Sequence, residues 1–118
     1  MKDKKEARNQ YKLRAPDMGI YRIRNLASGK IYVGRALDLN GGLNSAKFQL
    51  KNGMHMNREL QEDFSALGEA GFAFEVVDRL AAKDGPGHDY GQELMTLETM
   101  WLEALQPFVE KGYNKKKR

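Results

Sequence analysis

The stretch GIYRIRNLASGKIYVG, residues 19–34, constrains the fold of this chain more than any other. Ile20, Tyr21, Ile23 and Leu26 are interleaved with Arg22, Arg24 and Asn25. That period of two is the pattern of a half-buried strand. Ala27-Ser28-Gly29-Lys30 carries turn residues, and Ile31-Tyr32-Val33-Gly34 is rich in β-formers. The segment is therefore predicted to be a hairpin.

After the hairpin the period becomes helical. Asp38 can cap a helix starting near Leu39, with Leu39, Leu43, Ala46 and Leu50 as its apolar stripe and Gly53 as its stop. Gly41 and Gly42 lie inside this helix, although each costs about 1 kcal/mol against alanine there. Asn57 can cap a second helix carrying Leu60, Phe64 and Leu67, ended by Gly68 and Gly71. Phe72, Phe74 and Val76 alternate through a third strand that reaches about Leu80, and residues 81–89 read as a loop. A third helix is expected from about Gln92 to Leu105, buried along Leu94, Leu97, Trp101 and Leu105 and closed by Pro107. The expected fold class is α/β, a small mainly antiparallel three-stranded sheet flanked by helices in the order ββ-α-α-β-α.

Composition narrows the chemistry. A chain of 118 residues is one domain's worth and can bury roughly two thirds of its unfolded surface. It contains no cysteine and two histidines, His55 and His88. Disulfides, thiolate-zinc sites and cysteine nucleophiles are thus excluded, as is an all-histidine metal cage. No apolar run approaches the ~20 residues of a membrane span, and the first residues lack the apolar stretch of a signal peptide, so a soluble cytoplasmic protein is expected. The formal charge of +4 is unevenly spread. Residues 1–14 hold six Lys/Arg against Asp3 and Glu6, and residues 111–118 hold five basic residues and no acidic one. Residues 15–110 have nine basic and fourteen acidic residues. The organisation is a basic N-terminal arm (1–14), a single domain (15–114) and a basic tail (115–118). Either end could sit on phosphates through counterion release, or serve only to solubilise.

Two tyrosines on paired strands, Tyr21 and Tyr32, can bring their phenols close. A phenol is neutral at pH 7 but moves a proton if a neighbour stabilises the phenolate. Without such a neighbour they are ordinary strand tyrosines. Glu98 sits beside Leu94, Leu97, Trp101 and Leu102 on the third helix. A carboxylate bordering an apolar face needs a partner, whether a metal or a basic side chain.

The hairpin resembles the GIY-YIG nuclease superfamily, with YVG in place of YIG. The resemblance continues through LNSAKFQLKNGMHMNRELQEDF, FAFEVVDRL and ELMTLETMWLEAL to Gly112-Tyr113-Asn114, and covers roughly residues 17–114. It implies a nuclease that cleaves phosphodiester bonds of DNA with one divalent ion, Mg²⁺ or Mn²⁺. The metal-holding glutamate of the third helix matches Glu98; a hard ion commonly combines one carboxylate with phosphate oxygens and waters. Tyr32 or Tyr21 would help activate water as general base. His55 matches a histidine that often follows the helix-ending glycine, for phosphate contact or proton relay. Asn114 matches the asparagine of the closing motif, a brace near the site grouped with the substrate-binding candidates. Arg35, Lys47 and Lys51 complete that group as phosphate contacts, the lysines being equally readable as solvated.

One departure from the family stands out. Its first helix carries an arginine about ten residues after the second motif tyrosine, and many members carry a histidine one turn on. Counting from Tyr32, those positions are Gly42 and Ala46, i and i+4 on one helix face. Loss of a preorganised oxyanion donor costs ~3–4 kcal/mol, or about 10²–10³ in rate. Residues 38–46 contain no Lys or Arg to substitute, and Arg35 starts before the helix. The expectation is a weak or inactive nuclease. Either it is a natural pseudo-nuclease kept for binding, or it was disabled on purpose; a glycine inside a helix leans toward the second. The competing function is a non-catalytic module that binds nucleic acid or protein. In either case a homodimer or a recognition partner could supply specificity.

Overall fold

The computed structural model describes residues 17–81 and 89–115. The two basic ends and His88 lie outside the described residues, apart from Lys111 and Lys115. Strand β1 (Met18–Asn25), strand β2 (Ile31–Ala36), helix α1 (Leu39–Lys51), helix α2 (Arg58–Leu67), strand β3 (Phe72–Leu80) and helix α3 (Tyr90–Leu105) follow one another. The order is the expected ββ-α-α-β-α. The sheet runs β2-β1-β3 and both pairings are antiparallel.

Alternation along β1 divides the core between the two sheet faces. Ile20 joins Ile31 and Val33 on one face, against Val77 and the α3 residues Leu97, Trp101, Leu102 and Leu105. Ile23 faces the other way, into Ala46 and Leu50 of α1, Leu60 and Phe64 of α2, Phe72 and Tyr113. The sheet is thus sandwiched between α1/α2 and α3. Full burial of one such aliphatic or aromatic side chain contributes about 1.5–3 kcal/mol.

The helix starts are set by their caps. Asp38 accepts from Gly41 N–H, Asn57 from Leu60 N–H and Asp89 from Gln92 N–H, each satisfying a donor with no partner inside the helix. The third helix therefore begins at Tyr90, two residues before the expected start. Three further details differ from the sequence pattern. Leu26 is in the turn and exposed, Leu67 is exposed, and Asn25 is buried. The Asn25 amide is accommodated because both its ends are hydrogen-bonded: its oxygen accepts from Ala27 and Ser28 N–H, and its Nδ2 donates to the Tyr113 hydroxyl. Buried polar groups survive on such terms.

The segment after α3 seals the open edge of the sheet. Tyr113 N–H donates to Ile31 O, and the Asn114 side chain accepts from Val33 N–H and donates to Val33 O. An unpaired strand edge invites pairing with other chains; here a short parallel bridge, Ile31 to Gly112, and one amide side chain cover that of β2.

Candidate active site

The two motif tyrosines are not opposite each other in the sheet. Tyr21 pairs with Gly34 and Tyr32 with Ile23, so they are diagonal neighbours on the face toward α1, with ring centroids 6.5 Å apart. Gly34 explains the arrangement. A Cβ there would lie 2.6 Å from Cζ and Oη of Tyr21, so the Tyr21 ring lies across a position where only glycine fits. Gly19, the other motif glycine, has the Asp78 carbonyl where its Cβ would stand.

Beyond the phenols, the α1 residues Gly42, Ser45, Ala46 and Gln49 complete a cavity of about 300 Å³ with Arg35, Met54, His55 and Met56. Positions 42, 45, 46 and 49 are i, i+3, i+4 and i+7 on one helix face. Sequence reasoning singled out 42 and 46 and missed Ser45 and Gln49, although the same spacing connects all four.

Gly42 has a packing reason of its own. A Cβ at 42 would come 2.9 Å from the Cβ of Ala36, well inside normal carbon–carbon contact of about 3.5–4.0 Å. Helix α1 thus approaches the end of β2 closely at Gly42, and a side chain there would need room made at Ala36.

His55 is held in one orientation. Its backbone N–H donates to Gln61 Oε1, its Nδ1 accepts from Asn57 N–H, both at 3.0 Å, and its ring meets Tyr32 edge-on at 5.3 Å. Burial, partly opposed by the Asn57 contact, lowers its pKa from the ordinary 6.5, so the ring is neutral at pH 7. With Nδ1 accepting, the proton is on Nε2. The ring offers a donor, and Nε2 is not free to take a proton. Asn57 and Gln61 thus hold His55 in place; the sequence pattern revealed Asn57 only as a helix N-cap and did not single out Gln61.

The phenols are also donors. Burial first, then the charges of Tyr32 and Glu98, push the Tyr21 pKa above its ordinary 10. Burial and Glu98 raise that of Tyr32. Both hydroxyls keep their protons at neutral pH and act there as hydrogen-bond donors.

Glu98 and Arg35 meet at the cavity's edge. Arg35 Nη1 donates to Glu98 Oε1 at 2.5 Å, a charge-assisted bond of the strong kind. The expected metal ligand thus has a guanidinium on one oxygen. No carboxylate lines the cavity itself, and among the described residues no group of three His, Cys, Asp or Glu could hold an ion. The donor set does not fit a resident divalent metal, because an incoming ion would meet a cation already seated on Glu98.

The remaining substrate-binding candidates lie elsewhere. Lys47 stands over the Phe74 ring and Lys51 pairs with Glu69 at 2.8 Å, and neither lines the cavity. The Asn114 amide accepts from Val33 N–H and donates to Val33 O, which makes it a brace for β2.

A three-stranded antiparallel sheet in this order, with paired motif tyrosines facing α1, is the GIY-YIG nuclease fold. The catalytic domain of the homing endonuclease I-TevI has the same architecture, with a TM-score of 0.69 and 25% identity over 85% of this chain and 99% of that one. A glutamate-to-alanine mutant of the catalytic domain of the intron endonuclease I-TevI matches at 0.68 and 24% identity, over 83% and 92% of the two chains. No protein-family model and no curated protein matches the sequence. No described helix is long and apolar enough to cross a membrane.

Proposed function

We propose that this chain is a GIY-YIG-type DNA endonuclease domain whose hydrolytic step is severely weakened. The observation that carries this is the cavity: Tyr21, Tyr32 and His55 line it, while α1 brings Gly42 and the Ala46 methyl group, beside Ser45 and Gln49, to the face where the family's cation and histidine are expected. In phosphoryl transfer, catalysis rests on positioning and on stabilising charge that builds on the non-bridging oxygens. Here α1 supplies no cation for that charge. The phenols and His55 Nε2–H can still donate hydrogen bonds to a phosphate, which serves binding more than bond cleavage.

The test is plasmid nicking with Mg²⁺ and then Mn²⁺. The parent is compared with the triple variant Ala36→Gly/Gly42→Arg/Ala46→His, in which the first change makes room for the second. The expected result is a parent with trace activity and a variant faster by at least about 10²-fold. If the folded variant binds DNA and cuts no faster, the endonuclease reading fails. The second reading, a non-catalytic nucleic-acid-binding module, then holds. The tight seating of Gly42 on Ala36, which leaves no room for a cation on α1 at that position, favours it.

A further inference from the structure

The cavity is lined by a single charged side chain, Arg35. Its guanidinium donates through Nη1 to Glu98 alone among the described residues. Arginine carries five N–H donors in a planar fork, so the rest of the fork is left for a ligand. The pair is also oriented. The Arg35 side chain is 41% exposed and that of Glu98 only 16%, which puts the carboxylate behind and the cation in front.

The other polar groups of the lining can also donate. Tyr21 and Tyr32 present O–H, His55 presents Nε2–H, and Ser45 and Gln49 add a hydroxyl and an amide. No acidic side chain lines the cavity, and the one carboxylate at its edge, Glu98, is held by Arg35. The space that α1 leaves at Gly42 and Ala46 opens onto these donors.

We infer that this cavity binds a single phosphodiester group through Arg35, positioned by Glu98, with no divalent metal between protein and phosphate. This rests on nucleic acid being the ligand, as proposed above, and departs from the expected metal role of Glu98. The seated guanidinium supplies the fixed positive charge that an ion would otherwise bring, and its fork fits two phosphate oxygens as a spherical ion does not. Glu98 would then be a positioning residue, acting on the phosphate through Arg35.

The experiment uses the full isotope-labelled chain and a thymidine dinucleotide, which carries one phosphodiester, titrated by NMR in EDTA and again in Mg²⁺. The expected affinity is the same in both. Arg35→Ala should weaken binding about 10- to 100-fold, the range for hydrogen bonds to a charged group. Arg35→Lys, which keeps the charge and guards against a folding artefact, should lose less. Arg79→Ala, which removes a cation paired with Asp17 away from the cavity, should leave binding unchanged. Glu98→Ala should free the Arg35 Nε–H resonance to average while weakening binding equally with and without Mg²⁺. Two results would overturn the inference. One is affinity that rises tenfold or more with Mg²⁺ and disappears in Glu98→Gln; the other is Arg35→Ala binding like the parent. Failure of both the dinucleotide and a longer duplex to bind, in either buffer, would remove the DNA reading as well.

Discussion

Adding one methyl group at position 42 tests how α1 is seated and what that seating costs the site. Gly42→Ala should gain about 0.8–1 kcal/mol from helix propensity. Against this, the new Cβ would sit 2.9 Å from Ala36 Cβ, short of ordinary contact by roughly 0.6–1.1 Å. Ala36 has no torsion that moves its methyl away, so backbone must shift, either α1 or the end of β2. Overpacking of this kind costs about 1–3 kcal/mol. The net for Gly42→Ala is a destabilisation of about 0–2 kcal/mol. In an Ala36→Gly background the clash is gone and only the propensity gain remains. A double-mutant cycle by urea unfolding should then give a coupling of about 1–3 kcal/mol. If Gly42→Ala stabilises the parent by the full propensity gain, and the coupling is near zero, α1 is not held off by its own glycine. A side chain could then be installed at 42 without any relief at 36, and the packing explanation of Gly42 would be wrong.

The remaining predictions concern the hairpin, the closing segment and pH. Gly34→Ala should cost about 1–3 kcal/mol and displace the Tyr21 ring, because its Cβ would fall 2.6 Å from the phenol; an unchanged urea midpoint with unshifted Tyr21 resonances would contradict this. The Tyr113 hydroxyl donates to Asp63 Oδ2 at 2.7 Å, and burial is the largest cause of its pKa rising to about 12. A raised phenol pKa favours the native state below pH 10, so that contribution should be lost between pH 10 and about 12. The difference in urea midpoint between the parent and Tyr113→Phe should shrink across that window. His55 runs in the opposite direction. Its lowered pKa means the unfolded chain takes the proton first, so its share of stability should fall as pH drops below 6.5, and an NMR titration of its ring should give a midpoint under 6.5. Val109, a β-branched residue at φ 56 and exposed, should gain about 1 kcal/mol on Val109→Asn, read as a raised melting temperature.

The element order and the two-faced sheet were legible because they depend on local periodicity. Ile20 against Ile23, Leu50 with Leu60 and Phe64, and the caps Asp38 and Asn57 all announce themselves through short-range spacing. The motif positions of Tyr21, Tyr32 and His55 were legible too, and the structure gathers all three around one cavity. What stayed hidden depends on groups brought together only by folding. Asn25 looks like a solvent-facing strand residue until Tyr113, 88 positions on, arrives to accept from its amide. Gly42 looks like a defect in a helix until Ala36 is brought against it. Arg35 looks misplaced for the site until Glu98, 63 residues away, turns its guanidinium into the cation at the cavity's edge. The proton states of the phenols and of His55 belong to this second class as well. Burial is the largest cause of each shift, and burial is a property of the packed chain that no residue carries by itself.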